Sequence, residues 1–149
     1  MEIIVTLDTA KEFAETLAKI VKPNDVICLN GNLGTGKTTF TQFFAAALGI
    51  KEIVNSPTFN IIKCYFNEPL TLYHIDAYRL EGNTFDIGLD EYIYGEGVCV
   101  IEWGEFIKDF IPNNSLNINI ERIDENTRKY KLSGNPEMIK EVKKLWDIH

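Results

Sequence analysis

The stretch 31–39, which reads G-N-L-G-T-G-K-T-T, constrains this chain more than any other part of it. It fits the pattern G-x-x-x-x-G-K-[ST] and follows an apolar run, 25–30, that predicts a buried strand. A pattern of helical spacing opens near Gly36 and ends before Gly49. A glycine-rich turn between a strand and a helix directs backbone N–H groups at a bound phosphate. The sequence therefore predicts an anion-binding loop within a strand–loop–helix unit.

The residue types of this loop suggest a division of tasks. The glycines let the backbone fold closely around phosphates, and Lys37 is expected to reach the β and γ phosphates of a nucleotide. The Thr38 hydroxyl is expected to ligate the Mg²⁺ that bridges those phosphates. Because Lys37 is expected to contact the γ phosphate, it is also a predicted catalytic residue. The predicted nucleotide-binding residues of the loop are Gly31, Leu33, Gly34, Thr35, Gly36, Lys37, Thr38 and Thr39.

A site of this kind also needs a carboxylate from the carboxyl end of a neighbouring strand. Asp76 ends the apolar run 70–76, and Glu102 ends the run 98–102. We favour Glu102 as the metal ligand because the unbroken apolar run before it suits a strand covered on both faces. Asp76 is then expected to position or deprotonate the attacking water, or to hold a metal-bound water. Each acid is also suited to capping the turn after its strand.

Three further positions are open to two interpretations. Thr58, in the S-P-T-F stretch 56–59, is placed to sense a γ phosphate, although the proline also suits an ordinary turn. His74 shares a strand face with Asp76, and a hydrogen-bonded structural role is favoured for it. Arg79 is equally suited to stabilising a transferring phosphoryl group and to pairing with a nearby acid.

The alternation of strand and helix patterns predicts an α/β fold. We expect a P-loop NTPase-like, three-layer arrangement with a mostly parallel central sheet and an antiparallel hairpin in the C-terminal part. No linker or repeat divides the chain, so 1–149 is predicted to be a single domain. Thr9 and Glu12 predict a capping box at the first helix, and Asn135-Pro136 predicts the start of the last. Further strands are predicted at 59–66, 70–75 and 98–101, with the hairpin at 116–123 and 128–132.

Charge and cysteine content exclude several classes of protein. The 149 residues carry 15 Lys and Arg against 22 Asp and Glu, the opposite of the basic surface that nucleic-acid readers need. The excess lies in 65–110, with two cations against ten acids, which favours docking on a basic protein surface. No long apolar run or positively charged leader occurs, so a cytoplasmic protein with no membrane partner is expected. Cys28, Cys64 and Cys99 sit in strand-like runs and are expected to be reduced core residues.

Four ordered stretches together resemble the TsaE family, the small P-loop ATPase of bacterial tRNA threonylcarbamoyladenosine biosynthesis. They are the loop at 31–39, N-S-P-T-F at 55–59, H-I-D-A-Y-R-L at 74–80 and V-I-E-W at 100–103. The resemblance implies ATP hydrolysis, with ATP and Mg²⁺ as cofactors, that drives or resets a complex of two larger partner proteins. That complex attaches a threonylcarbamoyl group to the adenosine beside certain tRNA anticodons. This subunit would not be the transferase, and its acidic balance implies only indirect contact with tRNA.

The resemblance also assigns roles to residues. It places Glu102 with Thr38 on the metal, and Asp76 in the catalytic or water-ordering position. Arg128 corresponds to an Arg that the family often has near the nucleotide, and analogy of fold brings 7–9 close to the base. Asn32 departs from the family, which usually has an acid at this variable position of the loop. The predicted switch and partner-facing residues are Ser56, Pro57 and Phe59 in a nucleotide-responsive loop and Trp103 in a second switch, and Thr58 of the same loop is a predicted catalytic residue.

Other functions are less well supported by the residues. A free-standing small-molecule kinase, the main alternative, usually has a lid rich in Arg and Lys, and 65–110 offers only Arg79 and Lys108. A GTPase would be expected to show N-K-x-D and D-x-x-G motifs, and neither is present in the sequence. A scaffold that binds nucleotide without hydrolysing it is a further alternative, and a phosphate-release assay separates it from an ATPase.

Overall fold

The computed structural model describes residues 1–32, 34–55, 61–81 and 88–146. These residues form a seven-stranded sheet with helices packed on its two faces. Two 3₁₀ segments, Tyr78–Leu80 and Gly104–Phe110, follow two of the strands. The strands and helices are β1 (Glu2–Val5), α1 (Leu7–Ile20), β2 (Val26–Asn30), α2 (Lys37–Ala47), β3 (Ile62–Tyr65), β4 (Leu72–Asp76), α3 (Leu89–Ile93), β5 (Val98–Glu102), β6 (Leu116–Arg122), β7 (Arg128–Gly134) and α4 (Pro136–Trp146).

The sheet has a parallel centre and antiparallel edges. Its order is β1-β7-β6-β2-β5-β4-β3, and β6, β2, β5 and β4 run parallel to one another. The hairpin of β6 and β7 is antiparallel, and so are the pairs β1–β7 and β3–β4. All five residues of β5 are buried, as expected for a central strand covered on both faces. The predicted fold class, with its antiparallel C-terminal hairpin, is confirmed.

Alternate residues of β2 enter two separate cores. Ile27 and Leu29 belong to the core under α1, α2 and α4, whereas Val26 and Cys28 belong to the core under α3 and the 3₁₀ segments. Strand residues alternate between the two faces, so one short run supplies both cores. The result is the three-layer arrangement that the strand and helix patterns predicted. The first core contains a cluster of aromatic rings from Phe13, Phe40, Phe44 and Tyr130.

The N-terminal boundary differs from the prediction. Helix α1 starts at Leu7, and its capping box joins Thr6 to Thr9, with the Thr6 N–H donating to Thr9 Oγ1 at 2.7 Å. The predicted box of Thr9 and Glu12 is therefore wrong, because Thr9 takes the place in the first turn that Glu or Gln usually occupies. Strand β1 was not predicted at all, since it forms by pairing with β7 at the other end of the chain.

Other element ends agree with the sequence signals. Gly49, just after α2, has a left-handed φ of 95°, and the Asn135 side chain accepts a hydrogen bond from the Met138 N–H at 3.1 Å before α4. Strand β3 is shorter than the predicted 59–66, of which 59 and 60 lie outside the described residues. Among the described residues, every helix is too short or too polar to cross a membrane.

The three cysteines are free thiols on three different strands, and the predicted core position is confirmed for Cys28 and Cys99 but is wrong for Cys64. Cys28 and Cys99 are buried, and Cys64 on the edge strand β3 is half-buried. Burial raises the pKa of the Cys28 thiol to about 11 and the pKa of Cys99 well above its ordinary value. Since the thiolate is the reactive form, both buried cysteines should be inert in the folded protein.

We expect a thiol reagent at mildly alkaline pH to label Cys64 first, and Cys28 and Cys99 only after unfolding in denaturant. Peptide mapping of the labelled sites over time measures this order. The variant Cys64→Ser is the matched control, and it should abolish the early labelling while leaving the late labelling intact. Early labelling of Cys28 would contradict the buried position of β2.

Candidate functional site

The site is built where parallel strands end beside the start of α2. In the register of β4 and β5, the last residues Asp76 and Glu102 are Cα partners, and Leu29 of β2 pairs with Glu102 from the other side. The chain then leaves β2 through the glycine-rich loop and enters α2 at Lys37. Carboxyl ends of parallel strands are where ligands bind in open α/β sheets. The fold therefore brings the two predicted acids and the predicted lysine to one edge.

The loop backbone needs glycine for two different reasons. Gly34 and Gly36 have left-handed φ values of 80° and 102°, and a Cβ at either would meet nothing within 4 Å. Conformation, and not space, therefore favours glycine there. At Gly31 the reason is space, because a Cβ would lie 2.7 Å from Thr35 Oγ1 and 2.8 Å from the Ile120 carbonyl oxygen. The loop is thus packed tightly against β6 at its start and open further on.

The start of α2 suits an anion. Gly36 occupies the N-cap position and offers no side-chain acceptor to the first N–H groups of the helix. The loop is stabilised from within, since the Thr35 hydroxyl donates to the Asn32 carbonyl at 2.8 Å. A helix N-terminus with its N–H groups and partial positive charge is a natural phosphate site.

Lys37 is the buried cation of the site. Its Nζ donates to the Gly31 carbonyl oxygen at 2.8 Å and lies 4.0 Å from the ring centroid of Trp103. Burial lowers the pKa of Lys37, and the charges of Glu102, Asp76 and then Glu105 act against this lowering. The ammonium is therefore held by a carbonyl, an aromatic face and nearby acids, all of which favour its charged form.

Trp103 lies directly after β5 in a strained backbone conformation. Its φ of 58° is left-handed, which is rare for a bulky side chain and often marks a functional position. The indole also contacts the rings of Tyr78 and Phe106, with centroid distances of 5.1 Å and 5.9 Å. Trp103 thus joins an aromatic cluster and its ring faces Lys37, while its role as a second switch stays a prediction.

The two acids differ in their surroundings. Glu102 is only 3% exposed, and its Oε2 lies 2.6 Å from His74 Nε2, which is fully buried. Asp76 is half-buried, and its Oδ1 accepts a hydrogen bond from the Tyr78 N–H at 3.0 Å. Asp76 therefore caps the 3₁₀ segment that follows it, as one of the two interpretations expected. The capping bond also holds the Asp76 carboxylate at the strand end.

Arg128 links the C-terminal hairpin to the loop. Its Nε donates to the Thr35 carbonyl oxygen at 2.9 Å, and its Nη1 donates to the carbonyl oxygens of Asp124 and Thr127 at 2.8 Å and 3.1 Å. Arg128 thus contacts the loop directly, and its expected place near the nucleotide stays a prediction. One guanidinium ties together two segments that are 93 residues apart in sequence.

A cavity of about 420 Å³ adjoins the loop, and neither Asp76 nor Glu102 lines it. Thr35, Gly36 and Thr39 form one wall, so the cavity is continuous with the start of α2. The sequence analysis expected 7–9 close to the base and Arg128 near the nucleotide, but it gave no role to Glu125 and Asn126, because these turn residues carry no motif. The other lining residues are Thr6, Leu7, Asp8, Ala10, Glu125, Asn126, Arg128 and Tyr130.

The residues present fit a magnesium–phosphate group better than a metal cage. Within the described part of the chain, no group of three or more His, Cys, Asp or Glu side chains is arranged to hold a metal ion. Mg²⁺ is usually held by one or two protein oxygens together with phosphate oxygens and waters. Thr38 in the first turn of α2 and Glu102 at the end of β5 are ligands of that kind.

Five predicted residues lie outside the described residues. They are Leu33 of the loop and the stretch Ser56, Pro57, Thr58 and Phe59. Their assignments, including the sensing of a γ phosphate by Thr58, stay predictions.

The chain resembles known proteins along most of its length. Residues 4–130 match the model of a family described as threonylcarbamoyl adenosine biosynthesis protein TsaE. The tRNA threonylcarbamoyladenosine biosynthesis protein TsaE of Bacillus subtilis is 49% identical over 125 residues, which cover 84% of this chain and 79% of that protein. The protein of the same description from Aquifex aeolicus is 42% identical over 127 residues, covering 84% of this chain and 88% of that protein.

A solved structure has the same fold. The crystal structure of Bacillus subtilis YdiB superposes with a TM-score of 0.83 at 37% sequence identity. The match covers 97% of this chain and 95% of that chain, so the whole sheet and its helices are shared.

Replacing Arg128 should loosen the loop. We expect Arg128→Ala to lower the free energy of unfolding by about 1 to 2 kcal/mol, because hydrogen bonds from a charged donor are lost at a half-buried site. Urea denaturation measures the change. Arg122→Ala is the matched control, since Arg122 is the exposed Cα partner of Arg128 across the hairpin and should change stability little. Equal effects of the two variants would contradict a specific role for Arg128.

Proposed function

Because this chain belongs to the TsaE family of tRNA threonylcarbamoyladenosine biosynthesis proteins, we propose that it is a magnesium-dependent ATPase subunit of that modification system. The observation that carries the proposal is the meeting of Lys37, Asp76 and Glu102 at the glycine-capped start of α2. Family membership supplies the biological process, and the geometry supplies the chemistry. We therefore propose, and do not infer from family membership alone, that the chain hydrolyses ATP, that it needs Mg²⁺ and that it acts with partner proteins.

Lys37 and the loop would grip the phosphates. In the described structure the Lys37 ammonium is bonded to the Gly31 carbonyl and covered by Trp103. A triphosphate carries more charge than these neutral partners, so the ammonium would turn toward it. The first N–H groups of α2 would complete the grip, because Gly36 brings no competing side chain.

Thr38 and Glu102 would hold the magnesium ion. When bound, Mg²⁺ supplies positive charge that stabilises the charge developing on the phosphate oxygens. Glu102 is well suited because it is buried and kept in place by His74. The Ala77 N–H also donates to the Glu102 carbonyl oxygen at 2.9 Å, which fixes the backbone of the ligand.

Asp76 would orient the attacking water and accept its proton. It pairs in register with Glu102 but is less buried, so its carboxylate lies beside the metal site and not inside the core. The hydrogen bond from the Tyr78 N–H orients one oxygen of Asp76. A general base has to be held within reach of the proton that it removes.

The cavity beside the loop would receive the nucleoside. It borders Thr35, Gly36 and Thr39 but neither acid, so a nucleotide would extend from the cavity past the start of α2 to the metal side. Leu7 is 64% exposed at the rim, and Tyr130 and Ala10 add further apolar wall, which suits a flat base.

Partners would dock on the acidic part of the chain. Residues 65–110 carry ten acids against two cations, and they include Asp76, Trp103 and the 3₁₀ segments around the site. Two larger proteins of the threonylcarbamoyl transfer complex would meet this surface through basic patches, and tRNA would be contacted only indirectly. Docking next to Trp103 offers a direct route by which a partner changes the hydrolysis rate.

The test is phosphate release from ATP with magnesium, measured with and without the two partner proteins. We expect slow release alone and faster release in the complex.

Lys37→Ala should weaken ATP binding by about tenfold to a hundredfold, because it removes a charged hydrogen bond to phosphate. Lys19→Ala, at an exposed position in the last turn of α1, is the matched control. In the phosphate-release assay, a rate that the partner proteins do not change would contradict the subunit role. Transfer of the phosphate to a metabolite would identify a kinase.

The two acids should separate in their effects. Glu102→Gln should remove most of the gain in nucleotide affinity that magnesium confers, while affinity in metal-free buffer stays near that of the wild type. Asp76→Asn should leave both affinities nearly unchanged and lower the hydrolysis rate by about a hundredfold or more, as expected for loss of a general base. Calorimetric titration of ADP with and without magnesium, together with phosphate release, measures both. If only Asp76→Asn lost the effect of magnesium on nucleotide affinity, Asp76 would be the metal ligand and Glu102 the general base.

A further inference from the structure

We propose that His74 is a positioning residue that holds the Glu102 carboxylate in the one orientation that the magnesium site requires. The inference rests on the proposed function, since it concerns the acid assigned to the metal. It goes further by giving a task to a buried side chain that takes no direct part in binding or hydrolysis.

The sheet register produces the contact. His74 of β4 is the Cα partner of Val100, and Glu102 lies two residues further along β5. Residues two apart on a strand share a face, so the imidazole reaches Glu102 diagonally across that face. His74 Nε2 and Glu102 Oε2 are 2.6 Å apart, and their side chains are 0% and 4% exposed. A contact this short between side chains so deeply buried fixes the carboxylate rotamer.

The bond has a direction. An ionised carboxylate only accepts hydrogen bonds, so the proton of the contact belongs to His74 Nε2. His74 Nδ1 is buried, and among the described residues it has no hydrogen-bond partner. Within the described residues, the one hydrogen bond of the imidazole therefore runs from Nε2 to Glu102 Oε2.

This arrangement leaves Glu102 able to act as a ligand. One hydrogen bond from His74 orients the carboxylate, whereas a Lys or Arg in the same place would bring a permanent positive charge that competes with the metal. His74 occupies one oxygen, Oε2, so the carboxylate retains further lone pairs for a cation. Groups behind a metal ligand commonly raise metal affinity in this way, and their loss costs about tenfold to a hundredfold.

A purely structural role predicts something different. If His74 only filled the core between β4 and β5, its replacement would lower stability and leave metal binding intact. Leu72 provides the comparison, because it lies on the same strand and the same face and is fully buried. A conservative change there disturbs the packing without touching Glu102.

The experiment compares His74→Leu, His74→Gln and Leu72→Val in the full-length chain. Isothermal titration with ADP over a series of Mg²⁺ concentrations gives the affinity in metal-free buffer and the Mg²⁺ concentration for half of the metal-dependent gain. Thermal melting of each variant reports its stability. ADP and Mg²⁺ are the probes, so the result does not depend on hydrolysis.

We expect His74→Leu to raise the half-saturating Mg²⁺ concentration by about tenfold and to leave metal-free ADP affinity within about twofold of the wild type. His74→Gln keeps an N–H donor and should recover much of the loss. Leu72→Val should lower the melting temperature without shifting the Mg²⁺ dependence.

The inference is overturned if His74→Leu melts earlier but keeps the Mg²⁺ dependence of the wild type, or if Leu72→Val shifts that dependence as much. Should His74→Leu fail to fold, His74→Asn decides, because its shorter side chain keeps a polar group but falls short of Glu102: a half-saturating concentration raised by about tenfold supports the role, and one near that of the wild type overturns it. If the ADP affinity of the wild-type protein does not change with Mg²⁺ concentration, the proposed function itself is overturned, and this inference with it.

Discussion

The parallel pairing of β5 with its two neighbours is the constraint on which the candidate site depends. It brings Glu102 beside Asp76 on one side and beside Leu29 on the other, just before the chain turns into the glycine-rich loop. A shift of one residue would turn Glu102 to the opposite face and away from His74. Burial of all five residues of β5 makes such a shift costly, so the core that stabilises the protein also sets the positions of its acids.

Opposing electrostatic effects meet at Lys37. Burial lowers its pKa and so opposes its charge, while Glu102, Asp76 and Glu105 favour it. The Gly31 carbonyl and the face of Trp103 satisfy the ammonium in the described structure. A cation held by neutral groups keeps its charge and is still ready to exchange those partners for a stronger anion. The strained backbone of Trp103 places the ring where this exchange would move it.

Much of this arrangement could be predicted from local sequence signals. The glycine-rich loop, the β2–loop–α2 unit and the acids at the ends of β4 and β5 each combine a motif with a clear strand or helix pattern. The bond between His74 and Glu102 could not be predicted, because it depends on the register of two strands. Strand β1 and the part of the cavity wall formed by Glu125 and Asn126 were missed for a similar reason. Their positions follow from pairing between distant parts of the chain, which short patterns do not encode.

The position of β1 at the edge of the sheet has a consequence for folding during synthesis. Among the strands that the structure describes, β1 pairs with β7 alone, and the Met1 amino group donates to the Leu132 carbonyl oxygen, 131 residues away in sequence. On the ribosome, β1 therefore emerges long before the strand that it joins. Contacts of such long range form slowly and late. The N-terminal strand, and with it the turn at Thr6 and Leu7 that walls the cavity, can reach its final place only after the hairpin has been synthesised.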